Sequence, residues 1–136
     1  MTLCDTGPLV ALVDHSDPHH VDCARALSDL PPTPLVTTWP CLTEAMHLLG
    51  RVGGIRAQNT LWALLIDGLV RLHLPSDTEW KRMHSLMNQY ADMPLDLADT
   101  SLVSAAHELG DHRLFSIDSH LRAVRIDDQQ VFDVVP

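Results

Sequence analysis

The chain has 136 residues, of which 46% are hydrophobic, and this fits one compact domain with a core of its own and excludes global disorder. We therefore expect a single domain over residues 1–136. The formal net charge of −9 argues against broad nonspecific binding to nucleic acid, which usually needs a basic face, but it is compatible with an enzyme that acts on nucleic acid.

Along the first half of the chain, apolar segments of strand length alternate with segments of helical periodicity, and Gly or Pro separates them. Proline fits the first turn of a helix, where its missing N–H costs nothing. The predicted elements are a strand over residues 2–5, a helix that Pro8 opens, a helix over 18–30, a strand over 35–37, a helix over 41–49 that ends near Gly53-Gly54, and a helix over 55–67.

The second half of the chain continues this alternation. Residues 70–74 predict a strand, and Ser76 with Glu79 matches the S-x-x-E capping box at the start of a helix. One stripe of that helix holds Trp80, Met83, Met87 and Tyr90. We interpret this stripe as part of the core or as a dimer contact. The remaining predicted elements are a helix that Asp96 caps, with Asp99 in its first turn and Gly110 at its end, a strand over 114–117 and a strand over 131–135.

Short strands that alternate with helices predict an α/β sandwich with a mostly parallel sheet. In such a sheet, ligands bind beyond the carboxyl ends of the strands. Asp5 and Asp118 come at or just after the carboxyl ends of predicted strands, and Glu44 and Asp99 would approach from helices. This placement is consistent with one shared pocket for the four acidic side chains.

Each of these four acids lies in an otherwise apolar stretch: LCDTGPLVAL, CLTEAMHLL, PLDLADTSLVSAA and LFSIDSHL. A carboxylate among core-forming residues must be hydrogen-bonded, paired with a cation or bound to a metal, because an unpaired buried charge is very costly. Four that converge, with Asp96 as a fifth acid of the same pocket, form a cage of hard oxygens suited to Mg²⁺ or Mn²⁺. The pattern therefore indicates metal-assisted hydrolysis.

Some of these acids also suit purely structural roles. Asp5 precedes Thr6-Gly7 and could form a turn, whereas Asp96 and Asp99 suit a helix N-terminus, where the helix dipole favours negative charge.

The three cysteines, at positions 4, 23 and 41, are widely spaced and form no C-x-x-C pair, which is typical of reduced thiols in a cytoplasmic protein. We expect no secretory signal, because the N-terminus lacks a basic segment followed by a long apolar run. We also expect no membrane span, because no apolar stretch approaches the ~20 residues that cross a bilayer.

Four segments occur in order over essentially the whole chain: LCDTGPLVALVD, TEAMHLL, MPLDLADTSLVSAAHELG and LFSIDSHLRAVRI. Together they resemble the PIN-domain ribonucleases, and most closely the VapC-like toxins of bacterial type II toxin–antitoxin systems. The resemblance implies a three-layer α/β/α domain and an endoribonuclease that depends on Mg²⁺, with Mn²⁺ as a substitute. It also implies RNA as substrate, homodimers, and inhibition by a cognate antitoxin protein.

The resemblance also implies which residues form the catalytic and metal-binding quartet: Asp5, Glu44, Asp99 and Asp118. Thr6 stands where family members often place a hydroxyl beside the metal, and Asp96 matches an acid with a supporting role. The chain departs from the family after the final acid, where patterns like D-R-x-F are frequent, because it reads DSHLR from Asp118 and has no aromatic residue there. This departure leaves the quartet intact and the local substrate contacts undefined.

Other interpretations are weaker. His15 and His19 have i, i+4 spacing, but Pro18 lies between them and no third zinc ligand is evident. The triplet that begins at Asp5 also occurs in dimeric aspartic proteases, but those enzymes are almost wholly β. A non-catalytic binding module with the same fold is a further alternative. Candidates for phosphate contacts are Arg51, Arg56, Arg113, Arg122 and Arg125.

Overall fold

The structure is a computed structural model that describes residues 1–93, 95–127 and 130–136. The strands are β1 (Thr2–Cys4), β2 (Leu35–Thr38), β3 (Val70–His73), β4 (Arg113–Phe115) and β5 (Asp133–Val135). The helices are α1 (Thr6–Val13), α2 (His20–Asp29), α3 (Trp39–Ile66), α4 (Asp77–Gln89) and α5 (Leu97–Leu109), and a short 3-10 helix spans Ser119–Ala123.

The strands form a five-stranded sheet in the order β3-β2-β1-β4-β5, and each neighbouring pair is parallel. Successive residues of a strand face opposite sides of a sheet. Leu3 of β1 packs accordingly into a core with α5, and Cys4 packs into a second core with α1 and α3. The predicted three-layer α/β/α sandwich with a parallel sheet is therefore confirmed.

The longest helix, α3, is interrupted at the predicted glycine pair. Gly54 has φ 61° and ψ −154°, which is not helical, so the segments on either side meet at a kink. Glycine adopts positive φ without the steric penalty that a Cβ imposes. Within the described ranges, no helix combines the length and the apolar character that a membrane span requires.

The predicted stripe of α4 is partly wrong. Met83 is buried, but Trp80 and Met87 are 49% and 40% exposed. The face that packs inward instead holds Glu79, Met83 and Leu86. A core position for Trp80 and Met87 is therefore excluded, whereas their role as a dimer contact stays a prediction.

The orientation of α4 follows from a buried polar pair at its start. Ser76 caps the helix, as predicted, because its Oγ accepts a hydrogen bond from the Glu79 backbone N–H at 3.3 Å. The Glu79 carboxylate does not complete the capping box and instead contacts His73 Nε2 of β3, at 2.8 and 3.1 Å. The contact between His73 and Glu79 connects the start of α4 to β3, the edge strand of the sheet, and Glu79 is buried there.

His73→Ala should lower the free energy of unfolding by about 3 kcal/mol, because it leaves the Glu79 carboxylate buried without its partner. Both side chains are largely enclosed, with 16% of His73 and 6% of Glu79 exposed. Urea unfolding followed by circular dichroism measures the loss. His84→Ala, on the exposed face of α4, is the control and should change stability by no more than about 0.5 kcal/mol. Equal losses in the two variants would contradict the pairing.

Candidate active site

The four predicted acids lie at the carboxyl edge of the sheet. Asp5 directly follows β1, and Asp118 comes shortly after β4, its neighbour in the sheet. Glu44 lies early in α3, which follows β2, and Asp99 lies in the first turn of α5. In the strand order, β2 and β3 lie to one side of β1, and β4 and β5 lie to its other side. The direction in which strands are added therefore reverses between β1 and β4. The acids therefore flank the topological switch point, where parallel sheets bind ligands.

Asp5 is buried, with only 8% of the residue exposed. Its Oδ1 accepts a hydrogen bond from the Thr6 backbone N–H at 2.7 Å, and its Oδ2 accepts one from Ser116 Oγ at 2.7 Å. Burial raises the pKa of Asp5, the two hydrogen bonds lower it, and the nearby charges of Asp118 and Asp96 raise it again. The net result is a raised pKa, which means that the folded protein disfavours the ionised form of Asp5.

A glycine allows the close approach of α1 to the segment that carries Asp118. A Cβ built on Gly7 would lie 2.5 Å from Cγ1 of Ile117, well inside van der Waals contact. The glycine of the Asp-Thr-Gly triplet therefore has a packing reason, which is to bring the helix that follows Asp5 against the residue that precedes Asp118.

Glu44 is connected to the same edge through Thr6. The Thr6 hydroxyl lies 3.1 Å from Glu44 Oε2 and 3.2 Å from the Cys41 carbonyl oxygen, so its single proton is donated to one of the two at a time. Burial raises the pKa of Glu44, and the charges of Asp96 and Asp5 raise it further against the hydrogen bond from Thr6. The Thr6 hydroxyl thus orients the Glu44 carboxylate, whose pKa the neighbouring acids raise.

Asp96 and Asp99 form a reciprocal capping box at the start of α5. The Asp99 N–H donates to Asp96 Oδ1 at 2.8 Å, and the Asp96 N–H donates to Asp99 Oδ2 at 3.1 Å. The predicted cap is therefore confirmed. Burial raises the pKa of Asp99 to about 6, although hydrogen bonds from Asp96 and His120 act against the shift. A carboxylate that only capped the helix would not need to be buried where its ionised form is disfavoured, as Asp99 is.

Two polar residues of the site were missed by the sequence analysis, and Ser116 is the first. Its hydroxyl donates to Asp5 Oδ2 and accepts a hydrogen bond from the Asp118 backbone N–H at 3.1 Å. It thus connects the acids that follow β1 and β4. The only signal in the sequence is a serine between the apolar residues of LFSI.

His120 is the second missed residue. Its Nδ1 forms a short hydrogen bond with Asp118 Oδ1, and its Nε2 lies 3.3 Å from Asp99 Oδ2. Burial alone would lower the pKa of His120, but the hydrogen bonds with Asp99 and Asp118 outweigh it and raise the pKa. The imidazole therefore bridges two carboxylates that are 19 positions apart in the chain.

The donor chemistry of this edge fits a hard divalent cation, because its ligands would be carboxylate oxygens. The charge of Asp96 contributes to the raised pKa values of Asp5, Glu44 and Asp99, so these three acids lie within electrostatic range of a common neighbour. In the part of the chain that the structure describes, however, no three His, Cys, Asp or Glu side chains are arranged to hold a metal ion. Mg²⁺ needs only one or two carboxylates and keeps several waters, so the residues present fit Mg²⁺ through their chemistry.

Other candidates from the sequence lie outside this cluster. The His15 ring packs against His20, with ring centroids 4.4 Å apart, and His19 lies beside Asp17, so the spacing of His15 and His19 does not produce a zinc site among the described residues. The three cysteines are buried and free, as predicted. Of the predicted arginines, Arg122 lines a cleft of about 180 Å³ that Asp118 also lines.

No protein-family model matches the sequence, and no curated protein matches it. Solved structures do match. VapC20 of Mycobacterium tuberculosis, described as a sarcin-ricin loop cleaving toxin, aligns over 100% of both chains with a TM-score of 0.84 and 19% identity. The chain has a VapC-like PIN-domain fold.

Two further matches come from assemblies. A toxin–antitoxin complex of Klebsiella pneumoniae aligns over 88% of both chains, with a TM-score of 0.66 and 21% identity. VapBC2 of Rickettsia felis, bound to a DNA fragment from its promoter, aligns over 99% of this chain and 98% of the other, with a TM-score of 0.71 and 10% identity. At these identities the likeness establishes the fold and leaves the activity to be argued from the site.

Asp99→Asn should stabilise the protein at about pH 8, on the order of 1 kcal/mol once partial solvent exposure is allowed for. Because the folded state raises the pKa of Asp99 to about 6, it binds this proton more tightly than the unfolded chain does, and stability falls as the pH rises through that value. Asparagine keeps an oxygen acceptor for the Asp96 N–H and carries no charge. Thermal unfolding at about pH 4 and about pH 8 measures the difference, which should be small at the lower pH.

The control for this measurement is Asp92→Asn, at an exposed position before α5. It should shift the unfolding temperature equally little at both pH values. A loss of stability in Asp99→Asn that is independent of pH would show that the carboxylate is needed only as a cap.

Proposed function

We propose that this protein is a metal-dependent endoribonuclease that hydrolyses RNA phosphodiester bonds and serves as the toxin of a toxin–antitoxin pair. The observation that carries the proposal is that a fold shared with VapC toxins brings the predicted acids to the switch point of its sheet. There, burial and the charges of neighbouring acids raise the pKa values of Asp5, Glu44 and Asp99. Perturbed carboxylates at the ligand-binding edge of a parallel sheet are typical of a functional site.

A divalent ion at this edge would lower the pKa of a bound water and stabilise charge on the phosphoryl oxygens. Asp5 and Asp99 are the proposed main ligands, because they are the acids with the lowest exposure. Glu44 and Asp118 would orient metal-bound waters or help to hold a second ion, and Asp96 would have a supporting role. Mg²⁺ is the proposed ion, with Mn²⁺ as a substitute that offers the same preference for oxygen ligands.

The protein groups around the acids suit this role because they fix the carboxylates in place. Ser116 and the Thr6 N–H hold the two oxygens of Asp5, and the Thr6 hydroxyl orients Glu44. Fixed carboxylates bind an ion without first having to lose side-chain freedom. The Arg122 guanidinium lines the cleft beside Asp118 and donates hydrogen bonds to the carbonyl oxygens of Val134 and Pro136. Its remaining N–H groups are the proposed contacts for a phosphate of the RNA strand.

The proposed partners follow from the same argument. The chain carries a net charge of −9, so an RNA strand would be repelled until a cation offset the carboxylates. A second copy or an antitoxin would cover the exposed large apolar side chains of α3. These are Trp39, Leu48, Val52, Ile55, Trp62 and Ile66. The structural match to a toxin–antitoxin complex supports an antitoxin partner. We place the protein in the cytoplasm, where its RNA substrate would be.

Two alternatives remain distinguishable by experiment. An aspartic protease would need a largely β fold, and the α/β architecture argues against that reading of the Asp5 triplet. A non-catalytic binding module would keep the fold and leave RNA intact in the presence of Mg²⁺ or Mn²⁺.

Asp5→Asn and Asp99→Asn should each reduce RNA cleavage on the order of 100-fold or more, because each removes a charged oxygen ligand of the proposed ion. Cleavage of total bacterial RNA, followed by gel electrophoresis with Mg²⁺ or Mn²⁺ present, measures the loss. A chelator should abolish cleavage by the unaltered protein, whereas a protease that uses two carboxylates would be unaffected by it.

Asp92→Asn, an exposed replacement of the same type, should cleave RNA as the unaltered protein does. Circular dichroism of all variants establishes that they remain folded. Full activity in Asp5→Asn or Asp99→Asn would remove that residue from the site. Unchanged RNA in every sample with added metal would favour the non-catalytic module.

A further inference from the structure

His120 lies between two acids that belong to different parts of the fold. Asp118 caps the 3-10 helix Ser119–Ala123, and Asp99 is in the first turn of α5. The imidazole contacts Asp118 Oδ1 through Nδ1 and Asp99 Oδ2 through Nε2, at 3.3 Å for the second contact. One side chain thus contacts an oxygen of each carboxylate.

We propose that His120 is a built-in occupant of the Asp99–Asp118 pair, and that a divalent ion displaces its imidazole ring before both carboxylates can bind the ion. This inference rests on the proposed metal-dependent function. The oxygens that would face the ion are already used as hydrogen-bond acceptors.

The position of His120 suits a ring that leaves while the backbone stays. Its side chain is 37% exposed, so the ring can turn toward solvent without opening the core. The next residue, Leu121, is completely buried and anchors the 3-10 helix. The His120 backbone N–H also donates to Asp118 Oδ1 at 3.1 Å. That bond keeps the Asp118 carboxylate oriented after the ring has moved.

Competition of this kind has a defined thermodynamic consequence. In the protein without an ion, the imidazole contacts both carboxylates, and an ion that binds both of them must replace these two contacts. The apparent affinity for the ion is therefore reduced by the fraction of molecules in which His120 holds the pair. Removing the ring should destabilise the ion-free protein and tighten ion binding.

Titration of the purified protein with Mn²⁺, followed by electron paramagnetic resonance and calorimetry at one fixed pH, tests this directly. His120→Ala should bind Mn²⁺ on the order of tenfold more tightly than the unaltered protein, within the usual range of coupling between competing states. Its unfolding temperature should be lower without the ion and should rise more when Mn²⁺ is added. His84→Ala, an exposed histidine on α4, should match the unaltered protein in both measurements.

A second readout follows the ring itself. The imidazole resonances of His120 can be identified in NMR spectra because they are absent from His120→Gln. Diamagnetic Mg²⁺ should shift them toward the positions of a solvent-exposed histidine while the other histidines stay in place. A ring with only a packing role would show no such shift.

The outcomes separate this inference from the proposed function. Equal or weaker Mn²⁺ binding in His120→Ala, together with loss of binding in Asp99→Asn, would overturn the inference and leave the metal site in place. Absence of Mn²⁺ binding to the unaltered protein would overturn both. Tighter binding in His120→Ala without RNA cleavage by any sample would support the occupant and overturn the ribonuclease.

Discussion

Crowding of carboxylates at one edge of the sheet is the constraint on which the rest of this structure depends. Asp5, Glu44 and Asp99 each have a raised pKa, with burial as the largest cause and neighbouring acids as a further one. A fold that gathers such groups loses stability at neutral pH, because their ionised forms are disfavoured. The arrangement persists because specific donors reach each carboxylate, and because apolar cores on both faces of the sheet supply the stability.

The parallel sheet explains why acids so distant in sequence meet. All strands point the same way, so the segments that follow them emerge at one edge. At the switch point between β1 and β4 the following segments diverge to opposite faces, which leaves a crevice between them. The hydrogen bond from Ser116, which follows β4, to Asp5, which follows β1, crosses this crevice and connects its two sides.

The site combines two kinds of role in the same residues. Asp5 and Asp96 cap helices, yet their charges also raise the pKa values of other acids in the cluster. Structural and chemical explanations for these acids are therefore not exclusive. A cap fixes one oxygen of a carboxylate and so orients the group. His120 also combines two carboxylates, since one ring contacts both Asp99 and Asp118.

The sequence by itself determined the features that arise from local interactions. The alternation of strands and helices, the capping box of Asp96 and Asp99 and the interruption of α3 at Gly54 depend on residues only a few positions apart. The acids of the cluster were also recognisable, because a carboxylate in an apolar segment needs an explanation wherever the chain folds.

Only the tertiary structure decided the rest. Which side of α4 is buried depends on its packing against α5 and on the contact of Glu79 with His73, so Trp80 could not be excluded from the core by periodicity alone. Ser116 bonds to Asp5 across 111 positions of the chain, and His120 reaches Asp99 across 21. Such contacts have no local signature, because they form only when the sheet has brought its strand ends together.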